Sequence, residues 1–144
     1  MQPYSRGTVR LASACPDAAP VVDPRYLSDS RDLDAMVVAL NIARETGQRR
    51  ALAPWRGEEA VPGAGVHDDA TLRAHAEAAM ESYFHPVGTC RMGSDDMSVV
   101  DGDLRVHGFS GLRIADASVM PSIVSGNIDA TVYALAERAA DLIG

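Results

Sequence analysis

With 144 residues, 47% of them hydrophobic and 23% charged, the chain has an ordinary globular composition and enough length to bury a real core within one domain. Its formal net charge of -7, with Arg49-Arg50 the only adjacent basic pair, excludes a nucleic-acid surface, which needs clustered Lys and Arg. Cys15 and Cys90 stand far apart and make neither a disulfide framework nor a zinc motif, and the longest apolar stretch, around Ala35–Leu40, is too short to span a bilayer. The opening run Met1–Arg6 lacks the basic-then-apolar pattern of a secretory signal. A reduced, cytoplasmic setting is the resulting expectation.

Thr8–Ala12 follows Gly7 and alternates side chains at period two, as a short strand does. Residues 13–30 contain Pro16, Pro20 and Pro24, which exclude a regular helix and predict an extended connector. Asp29 or Ser30 can cap a helix from about Arg31 to Thr46, with Leu33, Met36, Val37, Leu40 and Ala43 on one face and Gly47 as a stop. Residues 48–67 carry Pro54, Gly57, Pro62, Gly63 and Gly65 and read as irregular. Asp68 or Asp69 opens a second helix to about Tyr83, burying Leu72, Ala76, Ala79, Met80 and Tyr83. Asp101-Gly102-Asp103 is a turn signal, and Leu104–Val106 and Leu112–Asp116 read as short strands. Pro121 interrupts the chain again before a last helix from about Ile128 to Ile143, whose core side is Val132, Leu135, Ala136, Ala139 and Leu142. Short strands and helices without β-α-β alternation predict an α+β fold.

The chemistry concentrates in His85-Pro86-Val87-Gly88-Thr89-Cys90-Arg91-Met92-Gly93 and in Ser125-Gly126-Asn127. Pro86 biases His85 toward extended backbone, and Gly88 allows close backbone approach. An imidazole can accept a proton near neutral pH; paired with an amide, it suits the removal of a proton from an alcohol. On these residues alone, a structural histidine fits as well as a proton acceptor. A Cys90–His85 nucleophile pair is disfavoured, because their odd spacing on a strand puts them on opposite faces. Asn127 is a natural N-cap for the last helix, whose N-terminus suits an electron-rich group. Asp116 ends an apolar strand at a loop, where either a capping or a ligand-binding carboxylate can sit. His67, His75 and His107 make no metal set by spacing. Gly63-Ala64-Gly65 is not a dinucleotide fingerprint, since no strand precedes it and position 68 is Asp.

Taken together, these segments resemble the C-terminal region of the glucose–methanol–choline (GMC) oxidoreductases, which are FAD-dependent. The resemblance begins at Ser5-Arg6-Gly7-Thr8-Val9-Arg10-Leu11 and continues through Pro20-Val21-Val22-Asp23-Pro24-Arg25-Tyr26-Leu27. It is strongest at His85–Thr89 with Met92-Gly93 and at Gly111-Leu112-Arg113-Ile114-Ala115-Asp116-Ala117-Ser118-Val119-Met120-Pro121. It closes at Ser125-Gly126-Asn127 and Ala136–Ile143.

The resemblance implies an α+β C-terminal part. Residues 1–83 would belong to the substrate-binding domain, and residues 84–144 would carry the active-site segment with the last strand and helix of the FAD domain. It implies that His85 acts as base or hydrogen-bond partner of an alcohol, and that Asn127 is the second active-site position and a flavin neighbour. Asp116 and Ala117 would lie against the ribityl-pyrophosphate of FAD, and Ile128 near the isoalloxazine ring. The implied reaction is hydride transfer from a small alcohol to the flavin, as in choline and alcohol dehydrogenases. The family's GxGxxG unit for the ADP half of FAD is missing, Met1 falls where a full-length member is well past its middle, and Cys15 stands where Asp is more usual. The FAD site is therefore expected to be incomplete here, with a separate chain carrying the N-terminal FAD-binding half as a partner. A truncated, non-catalytic remnant or interaction module is the alternative expectation.

Overall fold

The computed structural model describes residues 2–144 and divides the chain into two units, one spanning Pro3–Glu81 and the other Ser82–Gly144 with Gln2. In the first, strand β1 (Thr8–Arg10) pairs antiparallel with β2 (Val21–Asp23) in the register Thr8–Asp23, Val9–Val22 and Arg10–Val21. The segment expected to be an extended connector thus holds a strand. Pro20 and Pro24 flank the β-branched pair Val21-Val22 without entering its ladder, so they delimit the strand rather than prevent it. Gly7 sits at the foot of this hairpin: a Cβ there would lie 2.3 Å from the Asp23 carbonyl oxygen, so any side chain would push the two segments apart.

Helix α1 (Ser30–Gly47) starts at Asp29, whose carboxylate accepts the Arg31 amide. It continues through the expected stop at Gly47 to a cap at Gln48, whose N–H donates to the Arg44 and Thr46 carbonyls. Val37 is buried, whereas Ala43 faces outward. The N-terminal segment is held to α1 by the Asp32 carboxylate, which accepts the Tyr4 and Ser5 amides at 2.8 Å each. The Arg31 guanidinium also lies 3.7 Å over the Tyr4 ring. Helix α2 (Asp69–Ala78), capped by Asp68, packs against α1, and the two helices bury Val37, Leu72 and Ala76. Arg73 bridges them, pairing with Asp69 at 2.6 Å and Asp34 at 2.7 Å. Arg44 ties the irregular segment to α1 by bonding Glu59 at 2.8 Å and the Gly63 carbonyl at 3.1 Å.

Helix α2 ends at Ala78 rather than near Tyr83. Ala79 and Tyr83 are exposed, so no core burial rewards a further turn. Phe84 already has φ 60°, a left-handed conformation outside any right-handed helix.

The Asp29–Arg31 pair makes a pH-dependent contribution whose sign is set by its geometry. Arg31 donates to Asp29 from its side chain and then from its backbone amide, lowering the Asp29 pKa from 3.8 to about 2. A carboxyl depressed in the folded state stabilises that state above its unfolded pKa, and the contribution is lost as pH falls through the folded value. A carboxyl-carbon NMR titration should therefore place the Asp29 midpoint near 2, and Arg31→Ala should move it back up toward 3.8. An unmoved midpoint in that variant would show that Arg31 is not the cause.

The second unit is built around Val100, Leu104, Val119 and Ala139, with Met92, Val99, Val106, Ile114, Leu135 and Leu142 packed on them. The two strands expected here come together but do not form regular strands. Arg105 bridges Arg113, Val100 bridges Val106 and Met92, and the Val106 and Ile114 amides donate to the Leu112 and Leu104 carbonyls at 3.0 and 3.1 Å. The ladder is interrupted because the Asp101 carboxylate captures the Asp103 and Arg105 amides at 2.9 Å each, and Leu104 takes φ 65°. Helix α3 (Asp129–Ile143) directs Leu135, Ala139 and Leu142 to the core; Ala136, expected inward, is exposed. The fold is α+β. Among the described residues, no helix is long and apolar enough to cross a membrane.

Candidate functional site

His85 enters the second unit on a constrained turn. The Ser82 hydroxyl accepts the Phe84 amide at 3.0 Å, Phe84 is left-handed, and Pro86 holds His85 out of helical backbone. His85 is half-buried. Its aromatic neighbour is Tyr83, with ring centroids 5.5 Å apart and planes 73° to each other, an edge-to-face contact. Tyr83, which the apolar helical pattern assigns to a helix face, lies beyond the end of α2 and stands against His85 instead. Its position two residues before a histidine at a proline turn was the available signal.

Beyond the turn, Gly88 takes φ 86°, and a Cβ there would lie 3.4 Å from the Met120 carbonyl oxygen. The Cys90 amide then donates to the Ser118 carbonyl at 3.0 Å and the Met92 amide to that of Val119 at 2.8 Å. These bonds lay the histidine motif alongside the segment that carries Asp116 and Ala117. Cys90 is half-buried and unpaired in a disulfide.

Asp116 opens a short 3-10 turn, Ala117–Val119, by accepting the Ser118 amide at 2.7 Å. Val119 at its end is fully buried, which fixes the turn on the core. Asp116 itself is exposed. A carboxylate has about four acceptor sites, so capping Ser118 leaves it able to receive hydroxyl donors.

Asn127 is not the N-cap of α3. That position is Ile128, with αR backbone and no side-chain capping hydrogen bond. The helix starts one residue later than expected because burial of Ile128 anchors the chain there. Asn127 is exposed, and its amide is not consumed in capping. The α3 N-terminus consequently presents first-turn N–H groups without a side-chain acceptor.

His107 is held away from this chemistry. Its Nε2 lies 3.1 Å from the Gly93 carbonyl and 3.3 Å from Ser98 Oγ, fastening the loop that follows the histidine motif. Among the described residues, no cluster of His, Cys, Asp or Glu is arranged to hold a metal ion.

Comparison with known proteins supplies the family. The model of the GMC oxidoreductase family matches residues 3–136. The oxygen-dependent choline dehydrogenase of Proteus mirabilis (strain HI4320) is 43% identical over 143 residues, covering 99% of this chain and 26% of that protein. The crystal structure of pyridoxine 4-oxidase from Mesorbium loti superposes with a TM-score of 0.90 at 38% identity, covering 97% of this chain and 27% of that one. An FAD-dependent oxidoreductase from Chaetomium thermophilum gives a TM-score of 0.92 at 36% identity, covering 99% of this chain and 25% of that one. The chain therefore spans about a quarter of the length of these relatives. On the breadth of the family match and the superposition of nearly the whole chain, it belongs to the GMC oxidoreductases and corresponds to their C-terminal region.

Proposed function

We propose that this chain supplies the proton-handling side of an FAD-dependent oxidation of a small alcohol. The observation that carries the reading is the pair of backbone bonds from Cys90 and Met92 to Ser118 and Val119, which join the His85 turn to the Asp116–Ala117 turn. The residues present suit part of an FAD site. Asp116 can accept hydroxyl donors of a ribityl or ribose group but would repel phosphate, so we assign it and Ala117 to the sugar-alcohol portion. The uncapped start of α3, at Asn127 and Ile128, offers N–H donors and positive helix-end potential to an electron-rich ring edge. Ile128 is buried, so its part is to fix that helix end. When bound, FAD supplies the hydride acceptor.

The chain's own residues then have defined work. His85 takes the proton of the substrate hydroxyl on a ring nitrogen as the C–H bond is broken. The Asn127 amide donates to the alcohol oxygen, orienting it and stabilising negative charge that develops there. Tyr83, against the His85 ring, limits the orientations the imidazole can adopt. Tyr83 and Phe84 are both exposed, and their rings suit a substrate bearing a cation or an aromatic group. Primary alcohols of the choline type are the class we would try first. Residues 1–83 would contribute to the substrate-binding domain and residues 84–144 to the active-site segment. Two free cysteines suit a reducing compartment such as the cytoplasm.

The test is to assemble the chain with a polypeptide carrying the rest of a GMC oxidoreductase, load FAD, and add choline or benzyl alcohol without oxygen. Loss of the flavin's visible absorbance on alcohol addition is expected. Bound flavin that no alcohol bleaches would sink this reading in favour of a non-catalytic module.

A further inference from the structure

Residues 90–93 run between two other segments and use a different edge for each. The Cys90 and Met92 amides bond the Ser118 and Val119 carbonyls on one side. On the other side the Arg91 carbonyl accepts the Val99 amide at 2.9 Å, and the Gly93 amide donates to the Val100 carbonyl at 3.0 Å. Alternate residues of an extended chain turn their main-chain groups to opposite edges, so both seams depend on the register of this one stretch. The Met92–Val100 bridge is parallel, and the next rung of a parallel ladder would bring the Gly102 amide to the Gly93 carbonyl. The chain instead turns at Asp101, whose amide donates to the Arg105 carbonyl at 2.9 Å.

The His107 ring takes the place of that rung. Its Nε2 lies 3.1 Å from the Gly93 carbonyl oxygen and 3.3 Å from Ser98 Oγ, while its own amide donates to the Val99 carbonyl at 3.0 Å. The partners decide which way the bond runs. A carbonyl oxygen only accepts, and the Ser98 hydroxyl already donates to the Asp95 carbonyl at 2.6 Å. Nε2 therefore carries the hydrogen and donates to both. Burial is not what the ring gains, since His107 is exposed; the hydrogen bond holds it there.

We propose that His107 is a positioning residue of the histidine motif: its Nε2–H stands in for a backbone donor at Gly93 and fixes the register in which residues 90–93, continuous with the His85 turn, meet the Asp116–Ala117 turn. It acts through the Gly93 backbone and touches no reacting atom. Its effect on turnover rests on the reaction proposed above, whereas its effect on the seam does not.

Three substitutions in the assembled, flavin-loaded protein test this. His107→Phe keeps a ring without the donor, His107→Gln restores an N–H at similar reach, and His107→Asn carries the same amide one methylene too short. Hydrogen exchange at the Met92 and Gly93 amides should quicken by about tenfold in the Phe and Asn variants, as local opening of the seam becomes easier. The Gln variant should stay within about threefold of the parent protein. For an alcohol the assembly oxidises, kcat should fall by about tenfold in the Phe and Asn variants and recover in the Gln variant, with FAD content unchanged throughout. The Asn–Gln contrast decides the matter even if the Phe variant does not assemble. Unchanged exchange in the Asn variant, equal exchange in the Asn and Gln variants, or full turnover of the Asn variant in an active assembly would each overturn the proposal. An assembly that oxidises no alcohol sinks the proposed reaction alone, and the exchange contrast still decides the role of His107.

Discussion

His85→Ala is expected to lower kcat/KM for alcohol by about 10²–10⁴-fold in the flavin-loaded assembly, the usual range for loss of a positioned general base, while FAD content stays the same. The separation of the two readouts follows from where the residues lie. His85 sits on the turn at the head of its segment, whereas the proposed flavin contacts come from Asp116, Ala117 and the start of α3. The fold should also survive, because the segment is anchored beyond the histidine by the Cys90 and Met92 amides, not by the imidazole. The measurement is steady-state turnover across pH together with flavin quantified after denaturation. Turnover unchanged within a factor of about two would remove His85 from the chemistry.

Leu104→Ala is expected to destabilise the Ser82–Gly144 unit by about 2–5 kcal/mol. Leu104 is 1% exposed and belongs to the central cluster with Val100, Val119 and Ala139, so truncation leaves a cavity in that cluster. The position also carries backbone strain, with φ 65° on a residue other than glycine, and packing of the full side chain is what offsets it. A loss of this size is a large fraction of a typical domain's stability. Urea unfolding of the assembled protein, followed by circular dichroism, checks it. Leu104→Met, close in volume, should cost less than about 1.5 kcal/mol. Equal effects of the two substitutions would mean that the core is not centred where the structure puts it.

The helices were legible because their signals are local. Asp29 and Asp68 cap α1 and α2 as their sequence context indicates, and the apolar spacing in α3 correctly selects Leu135, Ala139 and Leu142. The errors cluster where local preference and long-range contact compete. Asn127 is the better capping residue by type, yet burial of Ile128 decided where α3 begins. Tyr83 continues an apolar helical pattern, yet nothing covers it there, and the chain turns at Phe84 toward the site. Val21–Asp23 looked like connector because prolines surround it, and its strand exists only through pairing with Thr8–Arg10.

The sequence by itself determined the chemistry available: a histidine before a proline, an asparagine before the last helix, an aspartate after an apolar strand, and a motif order shared with the GMC oxidoreductases. These are matters of residue type and spacing, which need no third dimension to read. Only the tertiary structure decided which of these segments are joined. The bonds from Cys90 and Met92 to Ser118 and Val119 link backbones more than twenty residues apart, and main-chain donors and acceptors are the same for nearly every residue type. Their partners are selected by the burial of Val100, Leu104 and Val119, a collective packing outcome that no single stretch of sequence encodes.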